Sequence, residues 1–202
     1  IVMEGNGQVY EYDYKMSDEH KVTVKTSWSD PSANILDDIR KGIQKIEEDT
    51  GVTVARAVTS GKIIGYMRKN TEIRATINGD ENPDKYISDN KVLQLLADEF
   101  NLNVVKNDKR YKDEAGATQR YVDEDLFVMF PSGDLGKTWF GTTPEESDLL
   151  TGSVANVTIT DTGVAVTTMK KADPVNVETK VTMICLPDFP TADQVYILDT
   201  SV

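Results

Sequence analysis

Between Trp28 and Gly51 the apolar residues fall at helical spacing. Ile35, Leu36, Ile39, Ile43 and Ile46 share one face. Asp30 has the chemistry of an N-cap, Pro31 suits the first helical position, and Gly51 supplies a left-handed closing residue. This punctuation predicts a helix over 31–50, roughly 30 Å long at 1.5 Å per residue. A long helix with a narrow apolar stripe predicts a spine with a sheet laid against it.

Elsewhere the period changes. Residues 8–16 alternate strictly, with Tyr10, Tyr12, Tyr14 and Met16 on one face, and 21–26 alternate again through Val22 and Val24. Together they predict a β-hairpin turning at 17–20. So polar a hairpin has little core of its own and should lie on other structure, within the subunit or on a neighbour. After the helix, 52–57 reads as a strand and 60–70 as a short helix with Ile63, Ile64 and Met67 inward. Residues 73–77 read as a strand and 78–84 as an exposed loop. Residues 88–101 form an amphipathic helix with Val92, Leu95, Leu96 and Phe100 on one face. Short strands follow at 103–106, 120–122 and 126–130. Thr143 and Glu146 form a capping box, with Pro144 at the first helical position, opening a helix over 143–150. From Gly152 onward β-branched runs dominate, at 157–160, 164–169, 175–186 and 195–198. The class is α+β, without internal repeats or low-complexity linkers.

Charge narrows the partners. Of 202 residues, 34 are acidic and 22 basic, for a net charge of −12. That balance opposes a nucleic-acid or anionic-membrane surface, which needs clustered Lys and Arg. No apolar run approaches the roughly 20 residues of a membrane span. The single cysteine, Cys185, excludes an internal disulfide and suits a reducing compartment. The opening Ile1, leading straight into strand-like sequence, reads as the later part of a longer protein.

Candidate chemistry is thin. His20, the only histidine, is expected as a solvent-exposed turn residue, so no Ser-His-Asp or Cys-His arrangement is supportable. Cys185, in V-T-M-I-C-L, reads as a small buried hydrophobe. Gly136-Lys137-Thr138 resembles the end of a phosphate loop, but Pro131 stands where its first glycine belongs. Gly5-x-Gly7 lacks a third glycine and leads into a strand. N-G-D-E-N-P-D (78–84) misses the calcium-loop register and its distal glutamate. Glu145 and Glu146 fit the first turn of a helix, where the dipole favours carboxylates. No catalytic, cofactor-binding or metal site emerges, so the chain is read as a non-enzyme without cofactor. One anomaly stands out: Glu47, Glu48 and Asp49 crowd the last turn of the long helix, where the dipole disfavours them. Lys45 offsets Asp49 at i,i+4; a solvated face accounts for the others, or a basic patch on a neighbouring subunit.

Five ordered motifs also carry a resemblance: T-S-W-S-D-P-S-A-N-I-L-D-D-I-R-K-G (26–42), Y-M-R-K-N (66–70), F-P-S-G-D-L-G (130–136), W-F-G-T-T-P-E-E (139–146), and D-P-V-N-V-E-T-K-V with L-P-D-F (173–189). Spread over nearly the whole chain, they resemble tailed-phage major capsid proteins of the lambda head-protein type. The resemblance implies the Hong Kong 97-type capsid fold. Residues 1–26 would then be an extended-loop hairpin or its remnant. Residues 27–57 and 163–187 would be a peripheral domain of spine helix plus sheet, and 58–162 with 188–202 an inserted axial domain. It further implies self-assembly of pentamers and hexamers into an icosahedral shell around DNA, in a virion assembled in the bacterial cytoplasm. Scaffold, cement and portal proteins are possible partners, with no membrane and no sequence-specific DNA contact. The family's N-terminal arm does not precede Ile1, which predicts a monomer or small oligomer for this form. The subunit-interface residues expected are Tyr10, Tyr12, Tyr14, Glu47 and Glu48. The spine-helix core expected is Leu36, Ile39, Ile43 and Ile46. Alternatives are a nanocompartment shell of the same fold and a monomeric acidic binding module.

Overall fold

A computed structural model describes residues 2–5, 8–79, 85–113, 115–144, 156–161, 163–172 and 175–201. Contacts divide the chain into two compact units, Ile1–Gly133 with Thr191–Val202, and Asp134–Pro190.

The first unit is built on a five-stranded mixed sheet of β3 (Lys21–Thr23), β4 (Val54–Thr59), β5 (Asn103–Lys106), β8 (Leu126–Pro131) and β14 (Tyr196–Asp199). Its order is β3-β14-β8-β4-β5. The β14–β3 and β4–β5 pairs are parallel, the other two antiparallel. Val54, Ala57, Phe127, Met129, Tyr196 and Leu198 are buried on one face with the helices. The intervening Val58, Val128 and Ile197 are only half-buried.

The long helix, α1, runs Ile35–Thr50 and starts four residues later than expected. Asp30 does not cap it. Its carboxylate instead accepts from the Ser32 backbone N and Oγ, both at 2.8 Å, closing a turn before the helix. Asn34 occupies the N-cap position without a side-chain bond, and Gly51 closes the helix at φ +69°. Ile35, Leu36, Ile39 and Ile46 are buried, whereas Ile43 is half-buried at the edge of the stripe. Gly42 is also buried; a Cβ there would collide with Met129 Cε and the Tyr196 ring, so the helix can lie this close to the sheet only without a side chain at 42.

Helix α2 (Gly61–Met67) is capped by Ser60, whose Oγ accepts from Ile63 N. Residues 71–78, read from sequence as containing a strand, form helix α3 (Thr71–Asn78). The cause is Asn70. Its Oδ1 accepts from Ile73 N at 3.1 Å while its buried Nδ2 donates to Ala33 O at 2.7 Å, so one side chain caps α3 and ties it to the entry of α1. Helix α4 (Asp89–Phe100) buries Val92 and Leu96 and ends at Asn101, φ +53°.

The expected hairpin of 8–16 with 21–26 is not formed. Strand β2 (Gln8–Glu11) pairs with β1 (Val2–Gly5), and β3 pairs with β14. Between them Asp13 Oδ1 accepts from Lys15 N and Lys15 takes φ +53°, which turns the chain out of extended conformation. A small hairpin joins β6 (Arg110–Lys112) to β7 (Thr118–Arg120), slightly earlier than the strand expected at 120–122.

The second unit holds a three-stranded antiparallel sheet, β10 (Asn156–Asp161), β11 (Val164–Ala172) and β12 (Val175–Met183), in that order. Beside it in sequence, β9 (Lys137–Phe140) pairs with β13 (Cys185–Asp188). The run 175–186, expected as one strand, breaks at Ile184, whose N donates to Gly163 O and whose O accepts from Gly141 N. The helix expected over 143–150 falls outside the described residues beyond Pro144, as does most of the loop at 78–84.

Candidate assembly surfaces

Two of the anticipated interface residues are on the surface at the end of α1. Glu47 and Glu48 are exposed, and neither forms an ion pair among the described residues. Asp49 is different. It accepts from His20 Nε2 at 2.8 Å and meets Lys45 Nζ at 3.1 Å, while Lys45 also meets Glu19 at 2.5 Å. The hydrogen bond from His20, then that from Lys45, holds the Asp49 carboxyl below the usual aspartate range. His20, read from sequence as exposed, is 1 % exposed, with its ring centroid 5.8 Å from that of Tyr196. Its Nδ1 has no hydrogen-bond partner among the described residues. The short 3₁₀ turn Asp18–His20 presents the ring to the last turn of α1, and Ser17 caps that turn. The acidic helix end was visible in the sequence as an anomaly; that His20 supplies a donor to it was not.

The tyrosines are only partly brought together. Tyr12 and Tyr14 meet edge to face with centroids 5.0 Å apart, Tyr12 exposed and Tyr14 half-buried. Tyr10 lies on β2 opposite Met3.

Sequence reading passed over larger apolar surfaces in the second unit. On β12 the alternate residues Val175, Val177, Val181 and Met183 are 91, 56, 65 and 57 % exposed. On β9 and β13, Trp139 and Leu186 stand opposite each other and both are exposed, as are Phe140 and Ile184. Trp139 Nε1 donates to Asp188 at 3.2 Å. Cys185, expected buried, is half-buried, because β13 belongs to a two-stranded ribbon instead of a covered sheet. Exposed patches of this kind mark interaction surfaces.

A charged network pins the first unit. Lys62 Nζ meets Glu124 Oε1 at 3.0 Å and Asp125 Oδ1 at 2.8 Å, and Arg120 bridges Asp108 and Glu124. Asp125, then Glu124, push the Lys62 ammonium above the ordinary lysine range. Beneath them Ser60 Oγ donates to Glu124 O, and Thr200 Oγ1 to Asp125 O. Every member is partnered within the fold, which suits a structural fastening. Among the described residues no three His, Cys, Asp or Glu side chains gather as a metal set would require, and no helix is long and apolar enough to cross a membrane.

The family model for phage major capsid protein E matches residues 1–199. The chain belongs to that family. Among solved structures, a capsid protein of a prophage from E. coli CFT073 superposes with a TM-score of 0.72 at 16 % identity, covering 100 % of this chain and 58 % of that one. A phage-related protein from Bordetella bronchiseptica RB50 gives a TM-score of 0.57 at 12 % identity, covering 92 % of this chain and 57 % of that one. At these identities the likeness is one of fold. The chain spans under three fifths of the length of either protein. No curated protein matches it.

Proposed function

We propose that this chain is the shell-building part of a phage head protein with the Hong Kong 97-type fold, copies of which close into an icosahedral shell around DNA. The family match across 1–199 carries the reading, and the mixed α/β fold shared with a prophage capsid protein supports it. Its work is geometric: apolar surfaces such as that of β12 are buried between copies. The protein catalyses nothing and needs no cofactor in this role, and it resides in the virion.

The proposal keeps residues 1–26 as an extended loop, 27–57 with 163–187 as a peripheral domain and 58–162 with 188–202 as an axial one. The compact units group α1 with the five-stranded sheet and 134–190 separately. Limited proteolysis releasing 134–190 as one piece, with α1 left on the sheet, would replace the proposed division by those units.

Particles released from the lysed host provide the test of function. Peptide mapping should find this chain as the most abundant protein of DNA-containing particles. Particles lacking it, or containing it only in trace amounts, would refute the reading.

A further inference from the structure

Two local charge conflicts in the first unit have opposite signs. One is in the β6–β7 hairpin, where Arg110 stands directly opposite Arg120 and Lys112 follows on the same face. Like charges facing each other across strands are unfavourable. Arg120 is answered by Asp108 at 3.3 Å and Glu124 at 2.9 Å. Lys109, Arg110 and Lys112 are exposed and form no ion pair among the described residues; Arg110 lowers the Glu124 carboxyl only from a distance. On the other face Tyr111 and Tyr121 are exposed, with ring centroids 4.9 Å apart. The second conflict is at the end of α1. There Glu47 and Glu48 stand exposed at the negative pole of the helix dipole, with no basic residue in that turn.

The sheet holds the two apart. β5 ends at Lys106 beside Thr59, the last residue of β4, and the chain runs on from there into the hairpin. α1 closes at Gly51, just before β4 begins at Val54. The conflicts therefore lie at opposite ends of β4, about 20 Å apart at roughly 3.3 Å per residue, and cannot meet within one copy. We infer that the basic β6–β7 hairpin of one copy docks on the acidic end of α1 of the next, with Lys109, Arg110 and Lys112 against Glu47 and Glu48. The inference rests on the shell-building reading and names a contact that such a shell uses. Each placement is unfavourable in an isolated copy, and each is relieved by the other. The dipole and both carboxylates attract cations to the helix end, and the paired tyrosines add rigid apolar area of the kind that anchors interfaces. Charges here select partner and register more than they supply affinity. Because two different patches meet, the contact is heterologous, and its repetition gives a ring when the rotation closes. Nucleic acid is the other polyanion a basic, aromatic hairpin could take, but the −12 carried by each copy opposes its approach.

Two charge reversals in the full-length protein test the contact, Arg110→Glu with Lys112→Glu, and Glu47→Lys with Glu48→Lys. All four side chains are exposed, so both variants should melt like the wild type. Each alone should weaken association roughly tenfold or more in sedimentation, the scale of losing close charge pairs. Mixed in equal amounts they should associate again, because the reversed hairpin of one meets the reversed helix end of the other. A zero-length carbodiimide should join Lys109 or Lys112 of one copy to Glu47 or Glu48 of another, mapped by peptides in a mixture of isotope-labelled and unlabelled protein. Variants that associate like the wild type, or a mixture no better than its parts, would overturn the contact. A hairpin reversal that spares association and abolishes retention of a labelled single-stranded oligonucleotide would also overturn it, giving the hairpin to nucleic acid. Complete shells from the hairpin-reversed protein would sink the contact and leave the capsid function standing. Carbodiimide-linked copies that never close into shells would support the contact and sink the shell reading.

Discussion

Ile39 and Ile43 lie one turn apart on the same stripe of α1, yet Ile39 is fully buried and Ile43 only half-buried. Truncating Ile39 to Ala should therefore cost about 2–5 kcal/mol, the range for a fully buried aliphatic side chain, and Ile43→Ala clearly less. Thermal melts of the two variants check the order, and equal melting temperatures would mean the stripe is centred differently. Charge at single residues is testable by pH. Hydrogen bonding to Lys62 holds the Glu124 carboxyl below its usual range, so its contribution is full above the ordinary glutamate value of about 4.3 and is lost as pH falls through the lower folded value. Lys62 is shifted up, so its contribution is full below about 10.4 and is lost as pH rises through the higher folded value. The stability difference between wild type and Lys62→Met should thus be flat from about pH 5 to pH 10 and shrink at both ends. A difference that does not vary with pH, followed by urea midpoints, would show the lysine acts by packing alone. Both effects should be small, because these groups remain partly in water.

At the scale of elements, legibility followed the source of the signal. α1, α2 and α4 were legible because their apolar faces, and the closing Gly51 of α1 and Asn101 of α4, act within the segment itself. α3 was not, because a short β-branched run became helical through the buried Asn70, whose second partner, Ala33, is 37 residues away. His20 was misread for the same reason: its partner Asp49 lies 29 residues on. Strand pairing was the least legible level. Alternation marked 8–11 and 21–23 as strands, but nothing local shows that β3 joins β14 at the far end of the chain. Of the expected interface, Glu47 and Glu48 could be read as unbalanced at a helix end, while the run 175–186 showed only its β-branched composition, which does not tell an exposed strand from a covered one. Gly42 makes an element-scale prediction. Alanine would improve helix propensity by roughly 1 kcal/mol in isolation, but a larger side chain must displace the Tyr196 ring as well as the Met129 methyl. Gly42→Leu should lower the melting temperature markedly and detach α1 from the sheet, visible as loss of near-ultraviolet dichroism. A Gly42→Leu protein as stable as wild type would contradict the close approach.

For the whole molecule the opposing terms are charge and apolar burial. Each copy carries −12, and a shell sets many copies side by side. The Debye length is about 10 Å at 0.1 M salt and about 30 Å at 0.01 M, so repulsion between neighbours is felt chiefly at low salt. Apolar burial, roughly 25 cal/mol per Å², hardly changes over that range. Assembly of the full-length protein should therefore be better at moderate than at very low salt. A steady decline from 0.01 M upward in a sedimentation series would mean that ion pairs, such as those open to Glu47 and Glu48, dominate instead. The central claim is that copies of this protein build a closed shell. Electron microscopy of the purified full-length protein at about 0.1–0.2 M salt, where repulsion is screened within roughly 10 Å, tests it most directly. Closed, uniform, icosahedral particles are the predicted result; a field of dispersed monomers at all concentrations would contradict it.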